Sequence, residues 1–204
     1  MPINKQEKFW AGDEGDAYLT RNFEQGNRYS ERAPFYKLFE SIPNKNISIL
    51  EVGCSCAINL SILEDLGFKN FTGIDIGEAA IEEARKRMPT SNFIVGSILN
   101  LPFEDKQFDL VFSSGVLIHQ DPNENLFTAM QEINRCSSQY VLGLEDHEDI
   151  ITSTQYTARD DYCWRAPYSS FWEEPGVYSW LSVTKGVISI PGVSWHREYY
   201  KFEK

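Results

Sequence analysis

The sequence predicts a doubly wound α/β domain: a seven-stranded, mostly parallel sheet with helices on both faces and an antiparallel last strand. Three observations predict it. Short, near-continuous apolar runs, such as residues 47–52 and 108–112, read as strands buried on both faces of a parallel sheet. Helical patterns with short joints alternate with these runs. Beyond Glu145 the alternation stops, and the chain closes on two strand-like runs joined at Pro191-Gly192, a hairpin signal. A chain of 204 residues suits one such domain rather than two.

Residues 5–22 mix charges with Phe9, Trp10, Tyr18 and Leu19 and predict a helix at least from Asp13. Pro34 opens a second helical segment over 35–41, since proline suits a first helical turn. Residues 47–52 form the first strand. A helix over 58–66 places Leu60, Leu63 and Leu66 on one side and stops at Gly67. The second strand is 71–76, and an amphipathic helix over 78–88 aligns Ala80, Ala84 and Met88 before Pro89 ends it. Residues 93–95 and 108–112 are the third and fourth strands, separated by the loop 101–106. A helix from Pro122 to Arg135 turns Leu126, Met130 and Ile133 inward, and the fifth strand is 140–145. Residues 146–175 are polar and aromatic without clean periodicity; 183–190 and 195–202 are the closing strands. The whole chain, 1–204, reads as a single domain, with an N-terminal helical covering segment (1–42), a central α/β core (47–145) and a closing segment with a C-terminal hairpin (146–204).

The net charge of −11, with scattered basic residues, argues against nucleic acid, which needs clustered positive charge. No apolar run approaches membrane-spanning length and no signal-peptide pattern is visible, so a cytoplasmic setting is expected and no membrane partner. Four cysteines, two of them only one residue apart, make neither a disulfide framework nor a metal set. Cys54 and Cys56 read as small buried groups filling a tight turn. Oligomeric state is not legible.

In open α/β sheets ligands sit beyond the carboxyl ends of the strands, where strand order reverses. Gly53 ends the first strand and lets backbone approach a ligand closely; Asp75, 22 residues on, ends the neighbouring strand. A carboxylate there can accept both hydroxyls of a ribose, although a plain helix cap is the bland alternative. A dinucleotide site needs G-x-G-x-x-G for its pyrophosphate, whereas this chain reads Gly-Cys-Ser-Cys-Ala-Ile from Gly53, with Glu51 adjacent. A nucleoside cofactor without phosphate and with a cationic end fits better, and S-adenosylmethionine is such a molecule. If the acceptor needs a base, His119 is the leading candidate. Glu145, Asp146 and His147 follow it. Arg159, Arg165 and Tyr168 suit an anionic sugar or carboxylate, or plain surface pairing.

Leu50-Glu51-Val52-Gly53, Gly73-Ile74-Asp75-Ile76, Leu101-Pro102-Phe103, Phe108-Asp109-Leu110-Val111 and Gly115-Val116-Leu117-Ile118-His119 resemble the ordered motifs of class I S-adenosylmethionine-dependent methyltransferases. Phe9-Trp10-Ala11-Gly12, Gly15-Asp16-Ala17-Tyr18, Arg21-Asn22 and the closing Tyr199-Tyr200-Lys201-Phe202-Glu203-Lys204 resemble methylases associated with pseudaminic acid biosynthesis. The resemblance implies the Rossmann-like methyltransferase fold and methyl transfer to a small-molecule acceptor, a nonulosonic-acid sugar or its precursor. It implies that Glu51 lies near the cofactor's amino end and that Gly53, Cys54 and Ser55 surround the methionine part. Asp75 would hold the ribose, Ile76 would pack on adenine, and Ser97 with the Ile98 N–H would read the adenine edge. Ser114 and Gly115 would line the sulfonium region. Tyr18 and Arg21 would form a lid, Arg21 pairing the cofactor carboxylate. Ser55 and Ala57 stand where most such enzymes carry glycine. That departure favours the alternative reading, a cofactor-binding or degenerate module acting through protein interaction.

Overall fold

The computed structural model describes residues 4–25, 29–175, 177–189 and 196–204. Five parallel strands form the centre: β1 (Ser48–Val52), β2 (Asn70–Asp75), β3 (Asn92–Val95), β4 (Phe108–Ser114) and β5 (Ser137–His147). Two more, β8 (Ser182–Ser189) and β9 (His196–Glu203), complete a seven-stranded sheet of order β3-β2-β1-β4-β5-β9-β8. β9 runs antiparallel to both of its neighbours. The hairpin turn predicted at Pro191-Gly192 lies outside the described residues. Strand order reverses between β1 and β4, which pair side by side from Ile49↔Leu110 to Val52↔Ser113.

Alternation along each strand sends side chains to opposite faces. Ile49, Phe71, Phe93, Leu110 and Phe112 pack under α3 (Tyr29–Glu40), α4 (Ile58–Asp65) and α5 (Glu78–Arg87). Leu50, Val52, Ile74, Val111 and Val141 face α6 (Leu126–Cys136) and α7 (Tyr168–Trp172). The N-terminal segment folds as α1 (Lys5–Trp10) and α2 (Asp13–Gln25). Reciprocal bonds between Asn4 and Glu7 cap α1.

Three differences from the sequence reading have local causes. Helix α3 begins at Tyr29, so Pro34 lies inside it rather than opening it. Helix α6 starts at Leu126 instead of Pro122, because the Asp121 carbonyl accepts the N–H groups of Glu124, Asn125 and Leu126 in tight turns. The stretch after β5 contains a hairpin, β6 (Thr152–Tyr156) and β7 (Arg159–Arg165). Its two-residue turn, Thr157-Ala158, has φ of 50° and 61°, positive at both positions as in a type I′ turn. Most of the later aromatics build core: Trp172 stacks with Tyr178, Trp180, Tyr200 and Phe202. No helix among the described residues is long and apolar enough to cross a membrane.

Candidate active site

The carboxyl ends of β1 to β4 open into a cavity roofed by α1 and α2. Gly53 leaves β1 with φ +66°, and a Cβ there would lie 2.4 Å from Val116 Cγ2 in the segment following β4. This position therefore needs glycine for both conformation and space. The turn continues with Ser55 at φ 46° and Ala57 at φ 59°. Ser55 and Ala57 take the left-handed conformation that glycine adopts freely, at roughly 1 kcal/mol of strain each. The absent glycines thus leave the turn's shape intact. Ser55 N–H donates to Asp75 Oδ2 (2.8 Å) and Cys54 N–H to the Ile74 carbonyl (3.0 Å), tying the turn to β2.

Glu51, on β1, is buried on the α3–α4 side. Asn59 of α4 donates its Nδ2 to Glu51 Oε1 at 2.6 Å. Asn59 Oδ1 in turn accepts from the Tyr36 hydroxyl (2.7 Å) and from Arg32 Nη1 (3.2 Å), both on α3. These donors fix the amide so that its N–H₂ faces Glu51. Glu51 Oε2 and Arg32 Nε are buried and lack hydrogen-bond partners among the described residues. Burial raises the Glu51 carboxyl to about 8, against the pull of Asn59 and Arg32. The result is a carboxyl group and a guanidinium bridged by one amide, each with an unused polar atom. Arg32 is the single guanidinium or ammonium lining this cavity among the described residues.

Asp75, at the end of β2, accepts from Gly77 N–H with Oδ1 (2.9 Å) and from Ser55 N–H with Oδ2 (2.8 Å). It braces the turn that leads into α5 and still lines the cavity with Ile76. Burial raises its pKa. Ser97, after β3, donates its hydroxyl to the Glu7 carboxylate on α1 and accepts from Leu99 N–H (3.0 Å). A carboxylate of α1 therefore stands beside Ser97.

A second cavity continues outward from the first, sharing Tyr18, Arg32, Ser114, Gly115 and His119 with it. His119 sits in the 3₁₀ turn Leu117–His119, against Trp10 and Tyr156 at centroid distances of 4.3 and 5.2 Å. Its Nδ1 is 2.9 Å from the Tyr162 carbonyl. A carbonyl only accepts, so Nδ1 carries the proton and Nε2 keeps its lone pair. Burial lowers the imidazole to about 4, keeping it neutral.

Of the cofactor residues expected from sequence, Tyr18, Glu51, Gly53, Cys54, Ser55, Asp75, Ile76, Ser97, Ile98, Ser114 and Gly115 all line the first cavity. Arg21 does not: it pairs with Glu14 at 2.6 Å on the exposed side of α2 and reaches Tyr156. Glu145 lines neither cavity. It is fully buried and accepts from Ser113 Oγ (2.8 Å) and the N–H groups of Val116 (3.0 Å) and Ile118 (3.4 Å), holding the segment that follows β4. His147 turns toward Glu198 and Asp149. Arg159 covers the Phe9 ring, and Tyr168 donates to the Trp164 carbonyl; of those three anion candidates only Arg165 reaches the second cavity. The sequence reading missed Glu7, Arg32, Tyr36 and Asn59. A buried asparagine amid Ile58, Leu60, Ile62 and Leu63, eight residues after Glu51, was the available signal.

The fold is that of the class I methyltransferases, Rossmann-like with the antiparallel strand inserted near one edge. Residues 50–139 match the family described as a methyltransferase domain. Among solved structures, magnesium protoporphyrin IX methyltransferase of Synechocystis PCC 6803, with bound S-adenosylmethionine, superimposes with a TM-score of 0.70. It covers 100% of both chains at 12% identity, a likeness of fold. Trans-aconitate 2-methyltransferase of Shigella dysenteriae is 25% identical over 154 residues, 74% of this chain and 60% of that protein. The phthiotriol/phenolphthiotriol dimycocerosates methyltransferase of Mycobacterium tuberculosis is 37% identical over 68 residues, 32% of this chain. The chain spans only 25% of that relative's length.

Proposed function

We propose that the protein transfers a methyl group from S-adenosylmethionine to a small-molecule acceptor. The observation that carries the reading is the Arg32–Asn59–Glu51 bridge: a part-buried guanidinium and a fully buried carboxyl group, each with an unused buried polar atom, facing one cavity with Asp75. A zwitterionic amino-acid end needs one acceptor and one donor held at fixed separation. A ribose needs a carboxylate, and a nucleoside without phosphate needs no run of glycines. All three requirements are met by residues of this cavity.

In this reading Glu51 takes the cofactor's ammonium and Arg32 its carboxylate. Asp75 takes the ribose hydroxyls with the lone pairs left over from its two backbone bonds. Ser97 and Ile98 flank the adenine, with Glu7 beside them. The bound cofactor supplies an electrophilic methyl group on a sulfonium. The chain's work is then alignment and exclusion of water, for which Trp10 and Tyr18 on the lid form the roof. His119, neutral with Nε2 unprotonated, is the group placed to take a proton from a hydroxyl or amine acceptor. The acceptor enters by the second cavity. A nonulosonic-acid sugar or its precursor is the finer reading, supported by the short words at both ends of the sequence. The name of the trans-aconitate relative supports a small acceptor more broadly.

Calorimetry with S-adenosylhomocysteine tests the reading. Binding in the micromolar range is expected, weakened by about 1–3 kcal/mol in Asp75→Ala. Absence of binding at millimolar ligand, by a protein whose circular dichroism is native, overturns it.

A further inference from the structure

We infer that Glu7 of α1 selects the base of the cofactor: its carboxylate accepts the exocyclic amino group of adenine, so that the ring is recognised from outside the α/β core. The inference rests on the S-adenosylmethionine reading for the presence of the ring, and on the geometry around Glu7 for its recognition. Glu7 lines the first cavity together with Gln6, Ser97, Ile98 and Leu99, beyond the carboxyl end of β3. An adenine amino group offers N–H donors alone, so its partner must be an acceptor. Ser97 meets this need poorly. Its hydroxyl proton goes to Glu7, and one of its lone pairs takes the Leu99 N–H at 3.0 Å. A single lone pair is left, on a neutral oxygen.

Glu7 is better supplied. Its Oε2 takes the Asn4 N–H at 2.9 Å and its Oε1 takes the Ser97 hydroxyl. A carboxylate carries about four acceptor sites, so each oxygen keeps one for a ligand. A hydrogen bond to a charged acceptor is also stronger than one to a hydroxyl. The surroundings hold the group in place before any ligand arrives. Reciprocal bonds with Asn4 fix its side chain at the start of α1. Phe9 packs on Tyr162 at a centroid distance of 4.3 Å, and buried Gln6 accepts from Asn125 Nδ2 at 3.5 Å. An acceptor positioned in advance loses little freedom on binding, and its preference for a donor is correspondingly sharp.

The test is calorimetry on the full chain, comparing S-adenosylhomocysteine with S-inosylhomocysteine, in which a carbonyl oxygen replaces the amino group. Wild-type protein is expected to bind the adenine form about tenfold or more tighter. Glu7→Gln keeps the cap of α1, since glutamine reaches back as glutamate does, and its amide can donate to the carbonyl oxygen. This variant should narrow the preference by roughly tenfold, weakening the adenine form without weakening the inosine form. Ser97→Ala removes the bond between α1 and the segment after β3 but leaves the carboxylate. It should shift both ligands by a similar factor and keep the preference. A Glu7 that only docked α1 would behave otherwise, because Glu7→Gln would then weaken both ligands alike. That result overturns the inference, as does an absent preference in the wild type, or one lost in Ser97→Ala and kept in Glu7→Gln. In each of these cases wild-type binding of S-adenosylhomocysteine leaves the cofactor reading standing. Folded wild-type protein that binds neither nucleoside at millimolar concentration overturns both.

Discussion

Arg32 and Arg21 are both arginines of the N-terminal segment, yet their surroundings separate them. Arg32 is held by Asn59 and lies 3.5 Å from Ser114 Oγ inside the cavity. Arg21 is ion-paired to Glu14 with 45% of its side chain exposed. Arg32→Leu should weaken S-adenosylhomocysteine by about 1.5–3 kcal/mol, the scale of a charged hydrogen bond, whereas Arg21→Leu should change it by less than about 0.5 kcal/mol. Equal effects in calorimetry would contradict this division of roles. The difference was hidden in the sequence because Pro34 read as a helix start, which left Arg32 outside any element. The place of Asp75 and Gly53 at the cavity was legible because it depends on position at strand ends, which periodicity locates. Glu145 was misjudged because the same position hides whether a carboxylate faces the cavity or, as here, backbone N–H groups beneath it.

The turn between β1 and α4 shows how an element can keep its shape without its usual residues. Ser55 and Ala57 both hold positive φ, and the difference between them is burial: Ala57 is fully buried and Ser55 is not. Ser55→Gly relieves backbone strain at little packing cost and should stabilise the protein by roughly 0.5–1 kcal/mol. Ala57→Gly also gives up a buried methyl worth about 0.8 kcal/mol, so its net change should be near zero. Chemical denaturation of the two variants separates these outcomes; a loss of stability in Ser55→Gly would mean the turn is not strained there. The β6–β7 hairpin escaped the sequence reading for a related reason. Thr157 and Ala158 occupy positions where Asn-Gly is the usual signal, and nothing in their chemistry announces positive φ.

At the scale of the whole molecule, buried carboxyl groups tie stability to pH, Glu51 and Glu145 most strongly, with Asp75 and Glu198 shifted in the same direction. Glu51 and Glu145 each hold a proton up to about 8 in the folded chain, through burial. Between the ordinary carboxyl range and 8, the folded state binds protons that the unfolded state has released, so stability falls as pH rises, by up to about 1.4 kcal/mol per pH unit per group. His119 acts in the other direction: lowered to about 4, it takes stability away as pH falls below the ordinary histidine range. Glu145→Gln should therefore flatten the decline in urea midpoint between pH 6 and 8, and an unchanged slope would show that Glu145 is ionised in the fold. The doubly wound plan itself was legible from the sequence, since each central strand carries its own apolar run and each crossover its own helical period. Strand neighbours were not, because pairing across 50 or more residues leaves no local mark. The place of β9 has a consequence for how the chain is made. Among the described residues, 196–203 follow every other strand in sequence but lie inside the sheet, pairing with β5 from Tyr140↔Glu203 to His147↔His196. During synthesis β5 therefore keeps an open edge until the final strand has emerged. The nascent chain carries its largest risk of association with other chains over that interval, and a chaperone's protection would matter most there.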